Sequence, residues 1–517
     1  MKKVISLFLS IVILTSLLSI SSVTNAKTKE TFWGDKTFFY YPDEVFENEK
    51  GFQFAYAYEK WDDSIEEYGP YIVGYAGSSS TVTLPTSCDG ETVLGVWSFA
   101  FSGADFKKVT IKGSYPISPY AFSYCEKLET VDMSDGYVYG INQGAFLGCK
   151  KLNKVVMPDC TWISEYAFED CSSLTSVKLP NSLEGIEHWA FKGTNIFEFN
   201  IPKNVSYIAS TALDSYSYCN IKVSKYNKKY SSYKGALYNK KKTKLLKYLC
   251  QYTGKWPKTM TAVGTDAFHI NGLNFTYDSN IKFPSKITKL GDYAFYGVSC
   301  KELSLAGKIK TIPSWCFSES NFSLLSIPNS VKKISYGAYE RATIKEVDLP
   351  NGLKTIDAYA FNKIKLKGKS IITVPASVKT IGKKAFTTKY LAGYKGSAAQ
   401  KYAKKNKIKF VIAPAKGTLK SVKSPKKGAV KVDWKKVKGA KGYQVQISTS
   451  STMSENTDRG TVKGGKNTST GTITNLKLKK GKTYYVQVRA YTTKKLGGKK
   501  KTVYGTWSAV KKVKIKK

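Results

Sequence analysis

The sequence predicts a mainly β protein, a solenoid with one short parallel strand per coil followed by a β-sandwich. Two observations lead to this prediction. A unit of roughly 22 residues recurs about a dozen times, a period typical of solenoids. After residue 417 the period disappears, and short alternating apolar segments separated by Gly and Lys turns replace it, as expected for a sandwich.

Each unit is organised around a small residue followed by an aromatic one. A complete unit spans Trp162 to Leu183, with the sequence WISEYAFEDCSSLTSVKLPNSL. After its Ala167-Phe168 pair, two apolar residues alternate with polar ones, as in a strand with one buried face. A proline then ends the strand because it has no N–H to donate. The pair recurs at 100–101, 121–122, 145–146, 190–191, 212–213, 267–268, 294–295, 316–317, 338–339, 360–361 and 385–386.

One unit cannot fold alone. Burial of about six apolar side chains does not offset the conformational entropy lost by ordering roughly 22 residues. Successive coils must therefore stack and share one core, and the two ends of the stack need caps.

The unit resembles the BspA-like, or treponemal-type, leucine-rich repeats of bacterial surface proteins. The resemblance runs from about Val93 to Ile412 and rests on the pattern AFxxCxxLxxVxLP together with its period. It implies a leucine-rich-repeat solenoid in a secreted or surface-displayed interaction protein, with adhesion as the commonest role. It implies no particular ligand.

Residues 1–26 are predicted to be a secretory signal peptide, in which Thr24, Asn25 and Ala26 offer a cleavage site. A membrane anchor is the alternative, because the uncharged run from Val4 to Asn25 is long enough to span a bilayer. No later run approaches that length, so no membrane span is expected after removal of the signal. The mature protein is expected to be extracellular, either secreted or held noncovalently at the bacterial cell surface.

Residues 27–92 are acidic and aromatic, and they are predicted to form an N-terminal cap. Their cluster of Asp62, Asp63, Glu66 and Glu67 could bind Ca²⁺ or supply paired carboxylates. A solvated acidic loop is the alternative.

The repeats are predicted over residues 93–412, with a closing cap at about 390–412 that contains a short helix starting at Ser397. A Lys- and Tyr-rich insertion interrupts them at about 214–257. Interleaved basic and aromatic residues are typical of grooves for single-stranded nucleic acid or glycans, whereas the alternative is a β-hairpin with a solvated lysine turn. Residues 413–417 are the linker.

Residues 418–517 resemble a fibronectin type III domain. Val430, Val432 and Trp434 alternate with polar residues, and Trp434 falls where the core tryptophan of the second strand lies. Tyr484 is the candidate for the tyrosine corner of such sandwiches.

The net charge of +44 is unevenly distributed, with −11 over residues 27–200, +28 over 201–414 and +25 over 415–517. Such a field attracts polyanions, here anionic cell-wall polymers or host matrix. The alternative is a lysine-rich composition that serves solubility. Nucleic acid is not expected to be the main partner, because the chain carries an export signal.

Cysteines and histidines indicate no reactive centre. Cys125, Cys149 and Cys171 each follow an anchor phenylalanine by three residues and are predicted to be buried apolar fillers, although bridging between stacked neighbours stays open. Nine cysteines is an odd number, so at least one thiol is unpaired or intermolecular. His188 and His269 lie in separate coils, so neither a metal nor another cofactor is predicted.

These features favour a noncatalytic interaction or adhesion protein rather than an enzyme. The coils would bind a protein or glycan through outward strand residues, unless these form only a solvated sheet. The competing hypothesis is an extracellular glycan-active enzyme or enzyme accessory subunit. The sequence leaves the oligomeric state open. The candidate binding surface consists of Lys154, Ser176, Lys178, Glu198, Asn200, Lys282, Ser326, Glu346 and Asp348.

Overall fold

The computed structural model describes residues 29–33, 36–40, 45–60, 66–215, 218–250, 255–269, 276–277, 281–305, 308–425, 429–451, 453, 458–462, 469–473 and 478–516. The predicted signal peptide lies outside these residues, as do Asp62 and Asp63, and only the backbone is described at Glu66 and Glu67. The chain forms two compact units, Met1–Phe191 and Lys192–Lys517.

The first unit begins with an antiparallel sheet and continues into parallel coils. The sheet contains β1 (Lys29–Trp33), β2 (Lys36–Tyr40), β3 (Phe46–Glu47), β4 (Phe52–Lys60) and β5 (Glu66–Tyr75). The coils carry β6 (Thr81–Leu84), β7 (Ser87–Cys88), β8 (Glu91–Thr92), β9 (Gly95–Val96), β10 (Lys108–Ile111), β11 (Thr130–Asp132), β12 (Gly140–Ile141), β13 (Lys154–Val156), β14 (Trp162–Ile163) and β15 (Gly185–Ile186).

Two rows of parallel strands run through these coils, β6-β10-β11-β13 and β12-β14-β15. The alternation predicted for the longer strands is observed, since Val82, Val109, Val131 and Val155 all point into the core. The antiparallel sheet joins the coils through β5, which pairs in parallel with β9.

The second unit continues with β16 (Glu198–Ile201), β17 (Tyr207–Ile208), β18 (Asn220–Val223), β19 (Tyr230–Tyr233), β20 (Ala236–Asn239), β21 (Lys244–Lys247), β22 (Ala262–Val263), β23 (Thr276–Tyr277), β24 (Ile281–Lys282), β25 (Ser299–Ser304), β26 (Thr311–Ile312), β27 (Asn321–Ser326), β28 (Lys333–Ile334), β29 (Thr343–Ile344), β30 (Thr355–Ile356), β31 (Lys365–Leu366) and β32 (Thr380–Ile381). Its coils again form two parallel rows, β25-β27-β29-β31 and β26-β28-β30-β32. In the predicted insertion, β20 pairs antiparallel with both β19 and β21, which is the geometry of a hairpin.

The anchor aromatics form a column of stacked rings within each unit, as predicted. Centroids of successive rings lie 5.0–5.5 Å apart from Phe101 through Phe122, Phe146 and Phe168 to Phe191. In the second unit the spacing is 4.9–5.3 Å through Phe268, Phe295, Phe317, Tyr339, Phe361 and Phe386. The small residue of each pair links neighbouring coils. Its backbone carbonyl accepts a hydrogen bond from the backbone N–H of the anchor aromatic residue in the preceding coil. The bonds from Phe146 to Ala167 and from Phe168 to Ala190 are 2.9 and 2.8 Å long.

The repeat cysteines are buried fillers, as predicted. The thiols of Cys125, Cys149 and Cys171 each donate to the carbonyl of an anchor phenylalanine in an earlier coil, at 3.0–3.1 Å. A hydrogen bond with the Cys149 thiol, together with burial, holds the pKa of Cys125 well above the ordinary range, and burial does the same for Cys149. All nine cysteines are buried free thiols.

The end of the repeats is closed by β33 (Tyr390–Gly393), α1 (Ala398–Lys405) and β34 (Lys409–Ile412). The helix starts as predicted, because the Ser397 hydroxyl accepts the backbone N–H of Gln400 and so caps its first turn. Tyr402 of α1 lies edge-on against Phe386, with ring centroids 6.0 Å apart. The last anchor ring is thereby covered.

The remaining strands are β35 (Leu419–Lys423), β36 (Val430–Trp434), β37 (Gly442–Ser448), β38 (Asp458–Val462), β39 (Thr470–Ile473), β40 (Thr483–Leu496), β41 (Lys499–Tyr504) and β42 (Lys511–Lys514). They form two antiparallel sheets, β35-β36-β39 and β38-β37-β40-β41, with β42 paired to β40. Trp434, Tyr443, Val445, Val486 and Val488 belong to the core that the two sheets share.

Replacing one ring of the column tests the shared core. Phe146 is fully buried between Phe122 and Phe168, so Phe146→Ala should lower the free energy of unfolding by about 3–5 kcal/mol. Tyr139→Ala is the matched control, because the Tyr139 side chain is 72% exposed and the change should cost less than about 0.5 kcal/mol. Urea unfolding of both variants measures the difference, and equal losses would contradict the column.

Candidate interaction surface

The predicted binding residues of the first unit lie on its outward face. Lys154 is exposed and pairs in register with Thr130, which in turn pairs with Lys108. Ser176 and Lys178 are exposed as well and flank the buried Val177. These positions are polar and exposed to solvent.

In the second unit, part of the predicted row is already engaged in contacts along the strands. The Lys222 ammonium lies 2.8 Å from the Glu198 carboxylate, and the Asn200 amide donates to the same side chain at 3.1 Å. These hydrogen bonds lower the pKa of Glu198. Lys282 is exposed at the end of β24, and Ser326 is the last residue of β27.

Glu346 and Asp348 contact a single arginine of the C-terminal strands. The two terminal nitrogens of Arg489 lie 2.6 Å from Glu346 Oε1 and 2.5 Å from Asp348 Oδ1. The arginine side chain is only 3% exposed, and its guanidinium also lies 3.7 Å from the Tyr504 ring centroid and 4.3 Å from that of Trp507. A planar cation between two aromatic faces and two carboxylates is specifically held.

Further contacts join the same surfaces. The Thr373 hydroxyl donates to the Tyr504 carbonyl at 2.8 Å, and the Asn351 amide donates to the Trp507 carbonyl. Val503 of β41 packs in a small apolar cluster with Ile371, and the backbone at Ser370 bridges to that at Thr502. The C-terminal sheets therefore cover the outward face of the last coils. Glu346 and Asp348 lie within this internal contact, and the open part of the predicted row precedes it.

An aromatic stripe that sequence reasoning missed runs along the turns. It consists of the residues directly before the anchor pairs: Phe99, Tyr120, Tyr166 and Trp189 in the first unit, and Tyr293, Trp315 and Tyr359 in the second. All seven have a left-handed backbone, with φ between 55° and 61°. Such a backbone is a strained state for bulky side chains and persists only where surrounding contacts hold it.

Stacking supplies those contacts in the stripe. Ring centroids are 5.1 Å apart between Phe99 and Tyr120, and 5.3 Å apart between Tyr166 and Trp189. Phe99 is nonetheless 46% exposed, so the stripe presents aromatic edges to solvent. Exposed aromatic groups are enriched in interaction surfaces. The aromatic residue that precedes seven of the anchor pairs was the sequence signal for this feature.

A buried polar cluster fixes the insertion to the neighbouring coils. The Lys247 ammonium contacts the carboxylate of Asp214 and donates to the carbonyls of Ser210, Asp266 and His269 at 2.9–3.1 Å. Burial raises the pKa of the Asp214 carboxyl to about 7, while the charge of Lys247 acts in the opposite direction. The ammonium thus satisfies several buried oxygens at once and has a structural role.

Among the described residues, no three His, Cys, Asp or Glu side chains converge as ligands for a metal ion. Within the same part of the chain, no helix is both long enough and apolar enough to cross a bilayer.

Stacked strand-and-turn coils with a shared aromatic column and outward polar rows define a leucine-rich-repeat protein. The model of the BspA type leucine rich repeat region matches residues 95–229 and 261–392, more than half of the chain. The chain belongs to this family, as the repeat pattern predicted. No curated protein matches the sequence.

Several solved structures are similar to the chain. A leucine-rich cell surface protein from Faecalibacterium prausnitzii is 20% identical, with 71% of this chain and 97% of that chain covered and a TM-score of 0.42. The pneumococcal vaccine antigen PcpA is 17% identical, with 71% and 98% covered and a TM-score of 0.43. A leucine-rich repeat protein from Eubacterium ventriosum is 20% identical, with 64% and 92% covered and a TM-score of 0.36.

Removal of Arg489 tests the internal contact. Arg489→Ala leaves two partly buried carboxylates without their cation, which typically costs about 3–5 kcal/mol. The C-terminal sheets should then separate from the coils, and proteolysis within residues 413–417 should accelerate. Lys494→Ala, at an exposed position of the same strand, should leave the cleavage rate unchanged. Equal rates for wild type and Arg489→Ala would show that the arginine does not hold this contact.

Removal of Lys247 tests the polar cluster. Lys247→Met should destabilise the protein by about 3–5 kcal/mol, because it removes the cation that contacts the buried Asp214 carboxyl and three backbone carbonyls. Adding Asp214→Asn should recover part of the loss in urea unfolding. Lys244→Met on the same strand is the control, since Lys244 is exposed and its loss should cost less than about 0.5 kcal/mol. A variant as stable as this control would refute the structural role of Lys247.

Proposed function

We propose that the protein is a noncatalytic interaction or adhesion protein, displayed on a bacterial surface or secreted. One observation carries the proposal: outward residues vary from coil to coil while inward residues stay apolar. Beside the buried Val109, Val131 and Val155, for example, the outward row holds Lys108, Thr130 and Lys154. A rigid array of this kind presents a continuous polar surface to a protein or glycan ligand.

We also assign residues 418–517 to a fibronectin type III-like domain. The division into a three-stranded sheet and a larger sheet supports the assignment, as does the shared core around Trp434. The Tyr484 hydroxyl accepts the backbone N–H of Lys479 at 2.9 Å, the kind of bond that a tyrosine corner makes. This domain would accompany the repeats and add no active site.

The basic half of the chain would attach the protein to an anionic polymer of the cell wall or the host matrix. Residues 201–414 and 415–517 carry net charges of +28 and +25, respectively. No Asp or Glu occurs between Asp357 and Asp433, or after Asp458. A surface of one sign concentrates polyanions and accelerates their binding at low ionic strength.

Binding of the full mature chain to purified cell walls tests this attachment. We expect strong retention at low salt and release as NaCl rises, because exposed charges are screened over about 3 Å near 1 M salt. Retention that is unchanged up to about 1 M NaCl would rule out an electrostatic tether. A parallel incubation with a panel of polysaccharides covers the alternative function, since measurable turnover would indicate a glycan-active enzyme.

A further inference from the structure

A column of lysines runs along one row of strands in the second unit. Lys310, Lys332, Lys354 and Lys379 each directly precede a two-residue strand, β26, β28, β30 and β32 in turn. We call these four residues the lysine ladder. All four side chains are exposed.

The backbone holds the ladder in register. The N–H groups of Lys332, Lys354 and Lys379 each donate to the carbonyl of the preceding ladder lysine, at 2.7–2.8 Å. The adjacent strands pair in parallel without a shift. Since neighbouring strands lie about 4.8 Å apart, the ladder presents one cation per coil at a regular spacing.

Buried residues flank Lys310, Lys332 and Lys354 on both sides, and Lys379 lies between the buried Val378 and the partly buried Ile381. Lys332 lies between the fully buried Val331 and Ile334, and Lys354 lies between the buried Leu353 and Ile356. The lysine backbone is therefore as rigid as the core, and only the side chains move. A ligand would meet a cation array that needs little backbone ordering.

The fold does not require lysine at this position. In the first unit the equivalent positions, linked by the same backbone hydrogen bonds, hold Tyr139, Thr161 and Glu184. Thr261 and Thr288 are linked in the same way in earlier coils of the second unit. The position accepts aromatic, hydroxyl and acidic side chains, so four consecutive lysines are a property of the surface.

Within the part of the chain that the structure describes, none of the four ladder lysines makes an ion pair. The nearby carboxylate of Asp357 pairs with Lys333 instead, at 2.8 Å. Like charges on directly adjacent strands are destabilising, and an anion that spans several coils would relieve this repulsion.

We propose that the lysine ladder binds a linear phosphodiester polymer that runs along the stacked coils. Lysine is a compact point charge that binds phosphate without the fork geometry by which arginine recognises carboxylates and phosphates. The column beside the ladder consists of Thr311, Lys333, Thr355 and Thr380, and its three threonine hydroxyls can donate to phosphate oxygens. This inference rests on the proposed attachment to anionic polymers and names its site and its ligand chemistry.

The test compares two variants of the full mature chain with the same loss of charge. The ladder variant carries Lys310→Gln, Lys332→Gln, Lys354→Gln and Lys379→Gln. The matched variant carries Lys494→Gln, Lys495→Gln, Lys499→Gln and Lys500→Gln, all at exposed positions of the β40–β41 hairpin. The probe is a glycerol phosphate oligomer of defined length, whose affinity is measured by calorimetry over a series of NaCl concentrations.

Each lost phosphate contact lowers the slope of log K against log salt by about 0.7–0.9. The ladder variant should therefore lose about 3 units of slope and roughly 100-fold in affinity at low salt. The hairpin variant should lose less than about 1 unit. Circular dichroism and thermal melting check that both variants remain folded, as expected at positions outside the core.

Other outcomes separate this inference from the proposed function. Equal losses in the two variants would overturn the ladder and leave attachment by diffuse charge intact. Wild-type protein that binds cell walls but not the oligomer would overturn the ligand assignment alone. Equal binding of hyaluronate, with the same dependence on the ladder, would overturn the preference for phosphate. If wild-type protein binds neither walls nor oligomer, both proposals fail.

Discussion

The stack of anchor rings is the interaction on which the rest of the structure depends. Phe146 is buried only because Phe122 and Phe168 cover its two faces, and its backbone N–H is satisfied only by the next coil. In such an array each coil is stabilised by its contacts with the two neighbouring coils. The first and last coils lack one neighbour, so each end needs a cap. Tyr402 provides that surface after Phe386, and an aromatic side chain suits the task because it meets the last ring edge-on.

Much of this architecture could be predicted because it is local and repeated. The anchor pair, the thiol three residues later and the alternation in each strand recur at one period, and each repetition strengthens the inference. The short helix after Ser397 could be predicted in the same way, because an N-cap serine is a signal within the local sequence. The aromatic stripe was visible in the same letters, but exposed aromatic residues carry less information than buried ones unless their backbone strain is known.

The contact of Arg489 with Glu346 and Asp348 could not have been predicted in this way. The partners lie 143 and 141 residues apart, and no period relates them. In the sequence, Glu346 and Asp348 on either side of Val347 look the same as the outward residues of any solvent-exposed strand. Their role follows only from the position at which the C-terminal sheets meet the coils. This contact covers the outward face of the last coils, whereas the lysine ladder on the other row of strands stays exposed.

A solenoid separates the residues that specify its fold from those that specify its surface. The position that the ladder occupies holds Tyr139, Thr161 and Glu184 in one unit and lysine in the last coils of the other, yet the flanking apolar residues, apart from the partly buried Ile381, stay buried in both. Lysines can therefore replace other residues at these surface positions without a change in the backbone, because the aromatic column holds the coils together. The repulsion within the ladder is small relative to the burial of a complete coil, so the fold tolerates the array without depending on it. A regular charge pattern that the fold tolerates but does not require is therefore a property of the surface and not of the core.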